Sequence, residues 1–90
     1  AAGMAAAIPG VVAAHSDLPV LGVPLEGGLM NGVDALYSIV QMPAGVPVGT
    51  LAVGKAGARN SAVLAARIIA LNNEDVAKKL KEFKGLGFKI

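Results

Sequence analysis

Ninety residues with 54% hydrophobic side chains, 16% charged ones and a net charge of +2 describe one small domain that carries more apolar surface than it can cover by itself. The absence of cysteine excludes disulfides, thiolate chemistry and cysteine metal sites, and it suits a cytoplasmic protein. One tyrosine, two phenylalanines and no tryptophan leave too little stacking surface for nucleic-acid binding, and the C-terminal lysines Lys78, Lys79, Lys81, Lys84 and Lys89 read as a solvated helix face.

In chain order, Ala1 to about His15 reads as a loop running into a helix. Pro9 falls near the helix start, where a missing N–H costs little, and Ile8, Val11 and Val12 offer a buried side. Ser16-Asp17 ends this segment. Leu18 to Val23 reads as a buried strand stopped by Pro24, Gly27 and Gly28. A helix over 32–42 follows, with Val33, Leu36, Ile39 and Val40 at helical spacing, Asn31 as its cap and Asp34 at its positive end; Pro43 stops it. Val48 to Val53 has the short, nearly all-apolar character of a strand covered on both faces. Gly54 and Gly57 bracket the turn after it. A third helix is expected over about 60–71, with Leu64, Ile68 and Leu71 on one face. Asn72-Asn73 interrupts it, and a fourth runs over about 74–83 with Val76, Leu80 and Phe83 on one side. Phe88 and Ile90 form an apolar tail suited to docking on a neighbour.

The uncharged run from Ala35 to Gly54 raises a membrane question, but Pro43, Pro47 and the glycines inside it favour helix, loop and strand over a membrane span. The chain opens Ala-Ala-Gly without a basic stretch leading into an apolar core, so no secretory signal is expected and the start reads as interior. Strand 18–23, helix 32–42 and strand 48–53 make a βαβ unit with parallel strands. Two parallel strands are too few to stand alone, so something must complete the sheet.

Ligands of such sheets bind beyond the carboxyl ends of the strands, where glycine-rich loops let backbone N–H groups approach phosphate or sugar oxygens. Three loops qualify: Ala1 to Met4, Pro24 to Asn31, and Gly54 to Arg59. Lys55 and Arg59 flank the third, without the order of a phosphate-binding P-loop. His15 is the sole histidine, so neither a zinc cluster nor a Ser-His-Asp constellation can be assembled on strong grounds, and it reads as a surface residue at a helix end. Asp34 and Tyr37 read as capping and packing groups.

The strings SIVQMP, PVGTLAVGKAG and Asn60 opening LAARIIAL, preceded by Ala2-Gly3-Met4-Ala5-Ala6-Ala7-Ile8-Pro9-Gly10 and Pro19-Val-Leu-Gly-Val-Pro24, resemble in content and order the purine-biosynthesis family of N5-carboxyaminoimidazole ribonucleotide mutases and aminoimidazole ribonucleotide carboxylases. The resemblance implies a doubly wound, flavodoxin-like three-layer α/β domain of which residues 1–90 are a single partial domain, the C-terminal half, with two parallel strands and about four helices. It implies a homo-octamer, an aminoimidazole ribonucleotide substrate and no metal or organic cofactor. Ala2, Gly3 and Met4 match the family's nucleotide-lining run. Gly28, Leu29 and Met30 lie in the loop matching one near the base, where Glu26 either meets substrate or is simply solvated. Gln41-Met42-Pro43 matches a segment that builds the site between subunits.

One departure concerns Ala7, which stands where many bacterial members have a histidine. The family's Ser-x-x-Asp and Ser-Ala-His-Arg motifs, which hold the nucleotide and move a proton, do not occur in these residues. General acid–base catalysis needs a titratable group at the reacting centre, so the chain alone is expected to be inactive and to need an N-terminal half. Three readings follow: half of a carboxylate-transferring enzyme, a non-catalytic assembly module derived from it, or an unrelated nucleotide-binding βαβ domain.

Overall fold

The computed structural model describes every residue from Ala1 to Ile90. Its elements are β1 (Ala2–Gly3), α1 (Ile8–Ala14), β2 (Leu21–Gly22), β3 (Pro24–Leu25), α2 (Val33–Val40), β4 (Gly49–Thr50), α3 (Lys55–Ala70) and α4 (Glu74–Gly85). All pairings are parallel: Ala2 lies opposite Pro24, and Leu21 opposite Gly49.

The direction of successive carbonyls along 20–25 sets the strand order. The carbonyls of Val20, Gly22 and Pro24 accept from the N–H groups of Gly49, Leu51 and Gly54 at 2.9, 2.9 and 2.8 Å. The Val23 carbonyl, which points the opposite way, accepts from Ala2 N–H at 3.0 Å. Alternating carbonyls of one extended segment serve opposite neighbours, so 20–25 is the central strand, with β1 on one side and β4 on the other. The expected α/β class with parallel strands and four helices is present. The first residues are not a plain loop as expected, because Ala2–Gly3 adds a third strand position, and Pro24 does not end the central strand but lies within it. Proline is tolerated there because its carbonyl still accepts from Gly54.

Side chains alternate across this strand, and each face meets different helices. A Cβ on Gly22 would lie 2.5 Å from Ile39 Cγ2 of α2 and 3.4 Å from Pro9 Cβ of α1. Leu21, on the other face, lines a cavity with Ala65, Ile68 and Ile69 of α3. Helices thus cover both faces, the arrangement parallel strands require.

The covering is thin. Only 11 of 90 residues are buried, and the core cluster is Ala2, Ala6, Ala35 and Ile39, with Val48 packed against it. The Cα radius of gyration of 14.4 Å exceeds the roughly 12 Å of a compact chain of this length. In α1 the expected buried side is reversed: Ile8, Val11 and Val12 are exposed while Pro9 is buried. In α2 the buried stripe is Ala35 and Ile39, with Val33 and Val40 open to solvent. Along α3, Leu64 and Leu71 of the expected apolar face are exposed. These apolar surfaces have no cover within the chain.

Helix ends also differ from the sequence reading. Asn31 does not cap α2; the N-cap is Gly32 at φ 97°, with no side-chain cap. Helix α3 starts five residues earlier than expected, at Lys55, because Gly57 packs directly on the backbone of Ala52. The Gly54–Arg59 segment is therefore mostly helix, not loop. The Asn72-Asn73 break holds, and Asn73 Oδ1 accepts the Val76 N–H at 3.1 Å. Replacing Asn73 with Ala is expected to cost about 1 kcal/mol, read by thermal unfolding; an unchanged midpoint would show that α4 is held by its packing on α3 alone. Along α4, Val76, Leu80 and Phe83 are half-buried as expected. In the tail, Phe88 folds back edge-to-face on Phe83 with ring centroids 5.7 Å apart, while Phe88 and Ile90 both stay exposed. No helix is long and apolar enough to cross a membrane.

Candidate functional site

Parallel strands end on the same side, so the segments leaving them converge. After β1 the chain turns at Met4, whose φ is 52°, and Met4 O accepts from Ala6 N–H at 2.9 Å. After β3 comes the loop 26–32, in which Gly27, Gly28, Asn31 and Gly32 all have positive φ. After β4 the chain reaches Gly54, which has φ 84° and ψ −153° and caps α3. Only glycine adopts that last conformation readily.

The three segments touch. A Cβ at Gly28 would lie 3.1 Å from Met4 Cγ and 3.1 Å from Asp34 Oδ2. A Cβ at Gly54 would lie 2.7 Å from Glu26 Oε1, and one at Gly32 would lie 2.7 Å from Val53 Cγ1 and 3.6 Å from Glu26 Cα. The result is a shallow rim built from backbone and two carboxylates. Glu26 is not at a free loop tip; its carboxylate lies against the N-terminus of α3, where the helix dipole favours negative charge.

The residues expected to bind substrate fall into different settings. Ala2 is buried, and its N–H is already engaged by Val23 O, so it contributes position rather than a donor. Gly3 is exposed beside Leu25. Met4 and Gly28 are brought together at the centre of the rim. Leu29 is fully exposed and Met30 half exposed, so both project from the loop rather than pack on it.

Other candidates are separated from this rim or confined to packing. His15 is exposed at the end of α1, with Nδ1 2.9 Å from Val11 O, as its helix-end position suggests. Lys55 and Arg59 lie one helical turn apart, exposed on the first turns of α3 rather than around a loop. Met42 packs on α1, with its sulfur 3.1 Å from the Cβ position of Gly10. Ala7 is the N-cap of α1 and has no side-chain cap to offer.

Sequence reasoning missed Asp34, which it assigned to capping. No side chain caps α2. Asp34 Oδ1 is buried without a hydrogen-bond partner, and Oδ2 lies over Gly28. The only sequence signal was an acid two residues after Gly32, at the far end of the 26–32 loop, which is indistinguishable from an ordinary helix start. The most prominent cavity, about 480 Å³ and lined by Asp17, Leu18, Pro47 and Gly49 among others, lies at the amino ends of β2 and β4. None of the cavities includes Met4, Gly28 or Asp34. The rim is an open surface and not an enclosed pocket.

Comparison with known proteins agrees with this partial character. Residues 1–86 match the AIR carboxylase family. Relatives named N5-carboxyaminoimidazole ribonucleotide mutase are 54% identical over 83 residues in Escherichia coli K12, covering 92% of this chain and 49% of the relative. The Vibrio cholerae protein of that name is 54% identical over 92% of this chain and 52% of its own length. The one from Bacillus subtilis is 56% identical over 90% of this chain and 50% of its own length. The chain spans about half the length of these relatives. With the glycine-rich rim at the carboxyl ends of a parallel sheet and a family match running through nearly all of its residues, the chain belongs to the AIR carboxylase family.

Proposed function

We propose that this chain forms about half of an N5-carboxyaminoimidazole ribonucleotide mutase of purine biosynthesis, which moves a carboxylate on the nucleotide to give 4-carboxyaminoimidazole ribonucleotide. The observation that carries the reading is identity of 54–56% to proteins of that name, sustained over 81 to 83 residues. Gly3, Met4 and Gly28 line the nucleotide, Leu29 and Met30 form an apolar wall toward the base, and Ala2 holds the first strand in register.

The family's proton-moving histidine motif does not occur in the chain, and its single histidine lies exposed at the C-cap of α1, hydrogen-bonded to Val11 O. The proton is handled by residues outside these ninety, in an N-terminal half that completes the sheet along the free edge of β1. Exposed Ile8, Val11, Val12, Tyr37 and Val40 support burial of this face against further protein; the cytoplasmic homo-octamer is what the family resemblance implies.

A chimera tests this. The segment of the Escherichia coli mutase that matches this chain is replaced by the chain itself. The expected result is a folded oligomer that converts N5-carboxyaminoimidazole ribonucleotide to its 4-carboxy isomer and restores growth of a mutase-deficient strain without purines. A chimera that assembles but neither turns over nor binds the nucleotide would overturn the reading in favour of a non-catalytic assembly module. Turnover of aminoimidazole ribonucleotide with CO2, in place of mutase turnover, would make it a carboxylase.

A further inference from the structure

We infer that Asp34 is a substrate-binding residue whose carboxylate accepts a hydrogen bond from an N–H or O–H donor of the nucleotide, at the rim where Met4 and Gly28 meet. The inference rests on the proposed mutase function and adds a residue to its site.

The ordinary role for an acid in the first turn of a helix is to cap it, and Asp34 does not. The N-cap of α2 is Gly32 and no side chain bonds to the free N–H groups there. Oδ1 is shielded from solvent with no donor. An ionised carboxylate with one oxygen stripped of water and unpaired carries a desolvation cost, and it therefore gains more than a solvated one from any donor offered to the other oxygen. That other oxygen, Oδ2, faces the Cβ-free side of Gly28, at the point where Met4 also arrives. A Cβ at position 28 would press within 3.1 Å of both Met4 Cγ and Asp34 Oδ2, so the glycine lets the loop come close to this carboxylate.

The charge of Asp34 selects what is bound. The phosphate and the migrating carboxylate are both anionic, so neither sits against Oδ2 at hydrogen-bond distance. The donors left on an aminoimidazole ribonucleotide are the exocyclic amine and the ribose hydroxyls. Both offer the same chemistry, an uncharged N–H or O–H, and ligand choice separates them.

The experiment uses the chimera described above, with Asp34→Asn as the near-isosteric change and Asp34→Ser as a second variant that keeps a residue suited to a helix start. Binding of aminoimidazole ribonucleotide and of ribose 5-phosphate, which lacks the amine, is measured beside steady-state kinetics and thermal unfolding. The expected result is binding of aminoimidazole ribonucleotide weakened about tenfold or more in both variants, the scale of a hydrogen bond to a charged group, with assembly and melting retained. Loss confined to aminoimidazole ribonucleotide assigns the amine; equal loss for ribose 5-phosphate assigns a hydroxyl. Unchanged binding of both ligands and unchanged kcat/KM in either folded variant would overturn the inference. Lost stability with unchanged ligand binding would also overturn it, since that is what a structural role gives. A parent chimera that does not bind the nucleotide refutes the proposed function instead, so the two failures are distinguishable.

Discussion

Gly57→Ala is expected to destabilise the folded protein by about 1–3 kcal/mol, the usual range of a forced overlap in a packed interior. The sign is informative because helix propensity alone predicts the reverse: glycine in a helix costs about 1 kcal/mol relative to alanine. Gly57 lies in the first turn of α3 and is buried against the segment that joins β4 to α3. A Cβ there would overlap the Ala52 carbonyl oxygen, lie 2.6 Å from the Ala52 carbonyl carbon and lie 3.0 Å from its nitrogen. Every one of these atoms is backbone, so no rotamer change relieves the contact; α3 itself has to move off the sheet. Thermal unfolding of the Escherichia coli chimera and its yield as soluble oligomer are the readouts. A melting temperature equal to or above the parent would show that α3 does not approach Ala52 this closely.

Ile39→Ala is expected to cost about 2–5 kcal/mol, the usual range for truncating a fully buried isoleucine. Ile39 has no exposed surface, and its Cγ2 fills the space above Gly22 left by the missing Cβ. The pair is coupled. Gly22→Ala alone is also destabilising, because its methyl would lie 2.5 Å from Ile39 Cγ2 and 2.9 Å from Val48 Cγ1. Combining the two removes the first overlap and refills part of the cavity, so the double variant is expected to lose less stability than the sum of the singles. Urea unfolding of the four proteins in the chimera measures this; strict additivity would mean that Ile39 and Gly22 do not share the contact. With a core cluster as small as Ala2, Ala6, Ala35 and Ile39, Ile39 is its only large side chain, which is why its loss is felt so strongly.

Elements whose signal is local were legible in the sequence. The helix around Val33–Val40 follows from apolar spacing and ends before Pro43; α4 follows from Asn73 and the positions of Val76, Leu80 and Phe83; the parallel pairing of the two apolar runs follows from the helix between them. Elements set by a neighbour were not. Ala2–Gly3 has no strand signature of its own and is extended because Val23 O takes its N–H. Lys55 to Arg59 carries glycine and charge, and reads as a turn until Gly57 is seen against Ala52. The inward side of α1 was misread because Ile8, Val11 and Val12 are apolar but have nothing to cover them within the chain.

The candidate site divides in the same way. Its position, at glycine-rich segments following strands, was legible because backbone approach requires small residues wherever the fold places it. Met4 and Gly28, distant in sequence, were both named from the order of motifs. Their contact with each other and with Asp34 was not legible, since it depends on three loops meeting at one end of the sheet. The sequence by itself determined the family and the α/β class, because each depends on which residues occur and in what order. Only the tertiary structure decided that Asp34 faces the rim with one oxygen unsatisfied and that the apolar faces of α1 and α2 stand open. Burial and hydrogen-bond satisfaction are properties of what surrounds a residue, and this chain spans about half the length of the relatives it matches.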